Sequence, residues 1–451
     1  MVSRSDAVWT IAATLVSAIC QLVQLSVAAR HLGAHEFGAL AIVNVMMTIV
    51  SGMQDMGLSS YCIHLGDVPR RTHCTLFWIS TALGGFGMLL VLASALPLAW
   101  FYDIDSLAFL LPLLSLTFLI VGASAQYQAN FIRVFQARKL AQIELAARLV
   151  GFSVTVGLLQ WAAGGPEAIV IGLEIFWLMR LALMAALAPA AWHPRLAFDR
   201  GFAKQALAYG SYQTASQIVG QLGTQADQII LGKVLGPEAL GFYSIAKDLV
   251  GYPLRVMQPV IARLTLPLLA HHQGDPAALR RAFITGLTRS AAMCALVFVP
   301  FALFAPWIVD MLYGPSFSVV ATLLPLMTLH GMLRPVGLNA AMLAQATGRS
   351  PMEFHWNARA SVVILLPNLL IALLAPSLIS FAITLSVLQV LLSTLLYPWF
   401  VKPLEPIGMA AYLRTWIGPA VIAFAASALA ASGLIQLPSL RDLLQAWLHH
   451  P

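Results

Sequence analysis

Two runs of hydrogen-bonding side chains recur at helical spacing in an otherwise apolar chain. Thr10, Thr14, Ser17, Gln21 and Gln24 step by four and three residues, so they share one helix face. Gln213, Gln217, Gly220, Thr224 and Asp227 repeat those steps at an offset of 203, and Gln221 and Gln228 widen the second stripe. Amides both donate and accept hydrogen bonds, which suits sugar hydroxyls. Such faces are costly against lipid and must meet a watery cavity or a partner helix. Their recurrence at matched places favours the cavity, and polar glue between helices is the alternative. A further helix carries Asn44, Thr48, Ser51 and Asp55 on one face, and another carries Lys247, Asp248, Tyr252 and Arg255. Intramembrane cations are rare without a function. Arg grips phosphate bidentately and Lys acts as a point charge. The spacing therefore points either to a cation site for an anionic substrate or to an internal Lys247/Asp248–Arg255 network. Arg289 and Arg334 extend the cation set within or near the bilayer, and Arg30 sits at an outer corner.

The elements that position these residues follow from hydropathy. Of 451 residues, 60% are hydrophobic and 10% charged, against about 25% charged in soluble domains. Apolar runs of membrane-spanning length recur throughout. They predict helices near 8–29, 37–63, 75–101, 107–132, 143–163, 167–191, 207–232, 240–268, 282–312, 318–345, 356–375, 377–401 and 411–433. The net charge of +7 does not indicate nucleic acid, because the basic residues cluster in alternate short loops. That asymmetry places those loops and the N-terminus in the cytoplasm. The first apolar run starts near Val8 and is too long for a cleaved signal. Cys20, Cys62, Cys74 and Cys294 form no CxxC pair, which favours free thiols over a disulfide set. No zinc spacing, P-loop or G-x-S-x-G occurs, so neither a metal site nor a catalytic site is expected; histidines 31, 35, 64, 73, 271 and 272 are read as loop residues.

The chain repeats itself. LSVAARHLGAHEFGALA at 25–41 aligns with DQIILGKVLGPEALGFYS, placing Arg30 on Lys233 and Gly33 on Gly236. LLPLLSL at 110–116 aligns with LLPLMTL at 323–329, and Pro97 with Pro300. Six helices per half keep both halves in one orientation, a parallel repeat about an axis along the membrane normal. The expected fold is thus an all-α polytopic membrane protein of two six-helix bundles, with about 12–14 spans. Its expected parts are an N-terminal lobe at 1–192, a cytoplasmic linker at 193–206, a C-terminal lobe at 207–402, and an extra helix with an amphipathic tail at 403–451. In that tail Leu437, Leu440, Leu444, Trp447 and Leu448 share one face, which fits an interfacial helix or a short further span.

DQIILGKVLGPEALGFYSIAKDL, the helix ending LTLPLLA, AARHLGAHEFGALAIV and MLAQATGRSP resemble Wzx-type polysaccharide flippases of the multidrug/oligosaccharidyl-lipid/polysaccharide exporter superfamily. The resemblance covers about 1–433. It implies a V-shaped carrier with alternating access that moves undecaprenyl-diphosphate-linked sugar repeat units from the cytoplasmic to the periplasmic leaflet of the bacterial inner membrane. It implies a cavity in which Lys247 and Arg255, and more loosely Arg30, meet the pyrophosphate. It further implies contact with membrane lipids, association with a polysaccharide polymerase and chain-length machinery, no cofactor, and coupling to a sodium or proton gradient with Asp227 as a candidate. The usual fourteen helices exceed those read here. Rival readings are a drug/cation antiporter of the same superfamily, against which the cations argue, and a membrane polysaccharide polymerase or ligase, for which no outer loop is long enough.

Overall fold

A computed structural model describes residues 4–54, 70–134, 136–161, 164–272, 274–349, 351–405 and 407–432. Among them there is no strand, and eleven helices are long and apolar enough to cross a membrane. The chain forms two compact units, Met1–Gln225 and Ala226–Pro451.

The first unit contains α1 (Arg4–Ala29), α2 (Ala34–Gln54), α3 (Arg70–Tyr102), α4 (Leu107–Arg133), α5 (Ala137–Trp161) and α6 (Glu167–Leu187). It also holds the beginning of α7 (Arg200–His271). Without a hydrophobic driving force in lipid, small residues and buried polar bonds must fasten the helices. They do so between α3 and α4, where a Cβ on Gly84 would lie 2.5 Å from the Phe118 carbonyl oxygen and one on Gly122 equally close to that of Ser80. Lower on the same contact Gln126 donates to Ser80 Oγ at 3.2 Å, and Asn130 meets His73. His73 is buried in the first turn of α3, not in a loop as expected, because Asn130 supplies a polar partner there. Between α5 and α6, Gly151 and Gly172 bring the backbones together, and a Cβ on Gly172 would fall 1.8 Å from Thr155 Oγ1. The expected linker is partly docked. Trp78 donates to the Arg195 carbonyl at 2.9 Å, Arg71 to that of Phe198 at 3.1 Å, and the Asp199 N–H to Thr75 Oγ1 at 2.8 Å.

The second unit comprises the rest of α7, then α8 (Pro276–Leu303), α9 (Ala305–Tyr313), α10 (Ser318–Ala346), α11 (Pro351–Leu374) and α12 (Leu378–Leu396). A π-helical turn at Tyr397–Val401 leads to α13 (Lys402–Leu404), α14 (Met409–Arg414) and α15 (Ile417–Ala431). α10 is the hub. It bonds α8 through Asn339 to Ser290 Oγ at 3.1 Å, α12 through Ser386 to the Leu326 carbonyl at 2.5 Å, and α15 through Thr328 and Ser427 at 2.8 Å. The repeat is written into local geometry. Ser115 donates to the Pro112 carbonyl at 2.6 Å, and Thr328, at the aligned position, donates to that of Pro325 at the same distance.

Four expected boundaries change. Helices 207–232 and 240–268 run together as α7, in which Gly236 alone has non-helical torsions (φ 83°, ψ 177°). That combination is open essentially to glycine only, so the turn between two helices needs one residue instead of a loop. The expected 282–312 helix breaks at Phe304 into α8 and α9, just after Pro300 and before Pro306. The expected 377–401 helix ends in the π-helical turn, with Pro398 inside it. The expected 411–433 span becomes α14 and the 15-residue α15, shorter than the roughly 20 residues that cross a bilayer. The tail at 437–448 lies outside the described residues.

Candidate functional site

In the second unit a group of charged side chains lies around the two arms of α7. Asp227 is buried on the first arm; Tyr243 and Lys247 lie one helical turn apart on the second. Lys247 Nζ donates to both carboxylate oxygens of Asp227, at 2.8 and 2.9 Å, and the Tyr243 hydroxyl donates to Oδ2 at 2.6 Å. In a straight helix residues 227 and 247 would be about 30 Å apart. Their bond therefore shows that the arms fold back on each other at Gly236. Glycine chemistry at one residue thus creates the ion pair.

Two turns beyond Lys247, Arg255 donates to Asp248 Oδ1 at 3.3 Å, and its guanidinium lies 4.9 Å from the centre of the Tyr252 ring. Both ends of that pair are solvent-accessible, at 52% and 38%, so its net worth is small. From α10, Arg334 comes within electrostatic reach of Asp227, and His330 within reach of Arg334 and Lys247. His330 Nδ1 is buried with no hydrogen-bond partner among the described residues. Three cations (Lys247, Arg255, Arg334) against two carboxylates (Asp227, Asp248) leave one positive charge in excess. Lys247 and Arg255 each have a carboxylate, and Arg334 is exposed. The arrangement offers an anion one guanidinium fork and a second, weakly held one.

The remaining expected residues fall elsewhere. Arg30 is exposed in the turn after α1, and Arg289 is exposed on α8. In the first unit, Gln21 and Gln24 are half-buried on α1, and Asn44 is exposed on α2 with its carbonyl accepting from Thr48 at 2.8 Å. Gln217 is exposed and Gln221 half-buried, and a Cβ on Gly52 would touch both at 3.6 Å, so this stretch of the amide stripe lies beside α2. Thr224 donates to the Gln221 carbonyl at 3.1 Å. Gln213 lies on α7, and Asp55 lies outside the described residues. The expected Lys247/Asp248–Arg255 network is split, because Lys247 turns to Asp227. Arg180 of α6 pairs with Glu144 of α5 at 3.2 Å. Arg148 and Arg359 stack on Phe176 and Trp399, at 4.3 and 5.6 Å to the ring centres. Tyr243 and His330 escaped sequence reasoning, although each precedes a cation by four residues on one helix face. The described cysteines Cys20, Cys74 and Cys294 are buried and free, and no described cluster of His, Cys, Asp and Glu could hold a metal.

Residues 27–322 match the family described as polysaccharide biosynthesis protein. The chain belongs to that family. It is 39% identical to the amylovoran biosynthesis protein AmsL of Erwinia amylovora over 81% of this chain and 94% of that one. It is 26% identical to the lipopolysaccharide biosynthesis protein WzxC of Escherichia coli (strain K12), over 78% and 72% of the two chains. Among solved structures the fold is similar to the lipid II flippase MurJ in an inward closed conformation, with a TM-score of 0.71 and 12% identity over 99% of this chain and 96% of that one. This likeness is one of fold.

Proposed function

We propose that the protein is a flippase that carries a lipid-linked oligosaccharide across the bacterial inner membrane for surface polysaccharide synthesis, by alternating access, with its N-terminus in the cytoplasm. The observation that carries the reading is the excess positive charge of the α7–α10 cluster inside membrane-crossing helices. A diphosphate crossing hydrocarbon needs such compensation. Arg334 is the principal phosphate contact, Arg255 joins it by leaving Asp248, and the amide stripes pass the glycan. Arg30 and Arg289 serve as outlying cations on the path. The lipid tail stays in the bilayer. A sodium or proton gradient drives the cycle, and a polymerase with its chain-length machinery takes the product. The relatives are named for amylovoran and lipopolysaccharide biosynthesis, which supports a glycan as cargo.

The test is leaflet transfer of a lipid-linked oligosaccharide in proteoliposomes. Arg334→Ala should lower transfer about 10- to 100-fold, the worth of a charge-assisted hydrogen bond, with folding unchanged. Full transfer by Arg334→Ala and by Arg255→Ala would remove the phosphate site from this cluster.

A further inference from the structure

Three carboxylates inside the membrane helices carry a cation: Glu144 has Arg180, Asp227 has Lys247 and Asp248 has Arg255. Glu174 of α6 does not. It is 7% exposed, and its Oε1 accepts both the N–H of Thr117, at 3.0 Å, and the Thr117 hydroxyl, at 2.5 Å. Its Oε2 is buried with no hydrogen-bond partner among the described residues. The walls are dry. Leu114 and Phe118 of α4 flank Thr117 and are fully buried, and Gly172 seals α6 against Thr155 and Gly151 of α5.

The charged groups on the packed elements are otherwise engaged or distant. Arg180, six residues on and so about 9 Å along the axis, is held by Glu144. Arg148 of α5 lies over Phe176, and Glu167, at the start of α6, accepts from the Gly165 N–H at 2.8 Å. Arg138 and Lys139 stand in the first turn of α5, and Arg133 ends α4. An ionised carboxylate here would leave a bare anionic oxygen in an apolar wall, which burial penalises far more than a neutral hydroxyl. The neutral acid is the favoured form here: its carbonyl oxygen accepts twice, and a buried hydroxyl on Oε2 without an acceptor costs far less than a bare anionic oxygen.

We propose that Glu174 is a proton-binding site of the first unit. The proton is held on Oε2 while α6 is packed on α4 through Thr117. It leaves as RCOOH → RCOO⁻ + H⁺ when that contact opens to water, so proton occupancy is linked to the α4–α6 packing. The site needs no substrate and stands apart from the flippase reading.

The test is infrared spectroscopy of the full chain in lipid nanodiscs at neutral pH. The wild type should show the carbonyl stretch of a protonated carboxyl, and Glu174→Gln should lose that intensity. Thr117→Val, which removes one hydrogen bond to the carbonyl oxygen, should shift the band to higher wavenumber. A spectrum that Glu174→Gln leaves unchanged in the carboxylic-acid region, or that shows the loss only among ionised carboxylates, overturns the proposal. If Glu174→Gln does not fold, titrating the wild type and Thr117→Val decides by the same shift: a band that does not move refutes the site.

Discussion

The pair of Asp227 and Lys247 can be separated from its surroundings by mutation. Two unit charges 2.8 Å apart attract by roughly 6 kcal/mol at an effective dielectric of about 20. Desolvating both ends takes most of that back, so the pair as a whole is worth little against a well-packed apolar substitute. Breaking it from one side is different. Asp227 is 3% exposed and Lys247 17%, so Lys247→Met leaves a buried carboxylate with, among the described residues, only Tyr243 and the Gln228 N–H as hydrogen-bond donors and Arg334 as a more distant charge. The expected loss is about 3–5 kcal/mol, or roughly two to three and a half orders of magnitude in the unfolding equilibrium. Asp227→Leu alone should cost a similar amount. The double variant Asp227→Leu/Lys247→Met should recover to within about 1 kcal/mol of wild type, since neither charge is then orphaned. Reversible unfolding in mixed micelles, run as a double-mutant cycle, measures this. Additive single effects, or a Lys247→Met protein as stable as wild type, would refute the assignment of Lys247 as a latch between the arms of α7.

Other outcomes follow from local geometry. Gly236→Ala should cost about 1–3 kcal/mol through backbone strain alone, because no atom lies within 4 Å of the new Cβ; thermal unfolding of the variant checks this. Gly172→Ala drives a methyl into Thr155 Oγ1 and should cost about 1–3 kcal/mol, partly regained in Gly172→Ala/Thr155→Ala when melting temperatures are compared. Asp275 caps α8 by accepting from the Ala277 and Ala278 N–H groups. The Ala278 bond foremost holds its carboxyl below the usual carboxylate range. Its folded pKa is depressed, so the contribution is present above the unfolded pKa and fades as pH falls through the folded one. The protection factors of the Ala277 and Ala278 amides, which correct for the intrinsic pH dependence of exchange, should fall as Asp275 is protonated, and in Asp275→Asn that acid-dependent loss should vanish.

The membrane helices were legible because apolar length and loop charge are local signals. The repeat was legible as Pro112 over Pro325, and the structure adds the hydroxyls that answer them. Less was legible where partners come from another helix. Read along its own helix, Lys247 belongs with Asp248 and Arg255; its real partner is Asp227, set by a one-residue turn that a loop of seven residues, 233–239, concealed. Arg180 likewise finds its carboxylate on another helix, since Glu144 reaches it from α5. His73 was misplaced since its partner Asn130 lies 57 residues away. Proline rules explain the break at Phe304 after the fact, but many interior prolines in this chain, such as Pro253 and Pro259, leave their helix continuous.

The corner at Gly236 also acts as a ruler. Asp227 lies nine residues before it and Lys247 eleven after it, and with no loop between them there is no slack to absorb an error in either count. Each residue inserted into an arm turns everything beyond it by about 100° and advances it by about 1.5 Å. A single insertion on either side would swing Lys247 or Asp227 to a different wall, whereas a four-residue insertion would nearly restore the face but displace it by about a turn. The corner therefore gears the two arms: a twist or a slide imposed on one is passed to the other through a single pair of torsions.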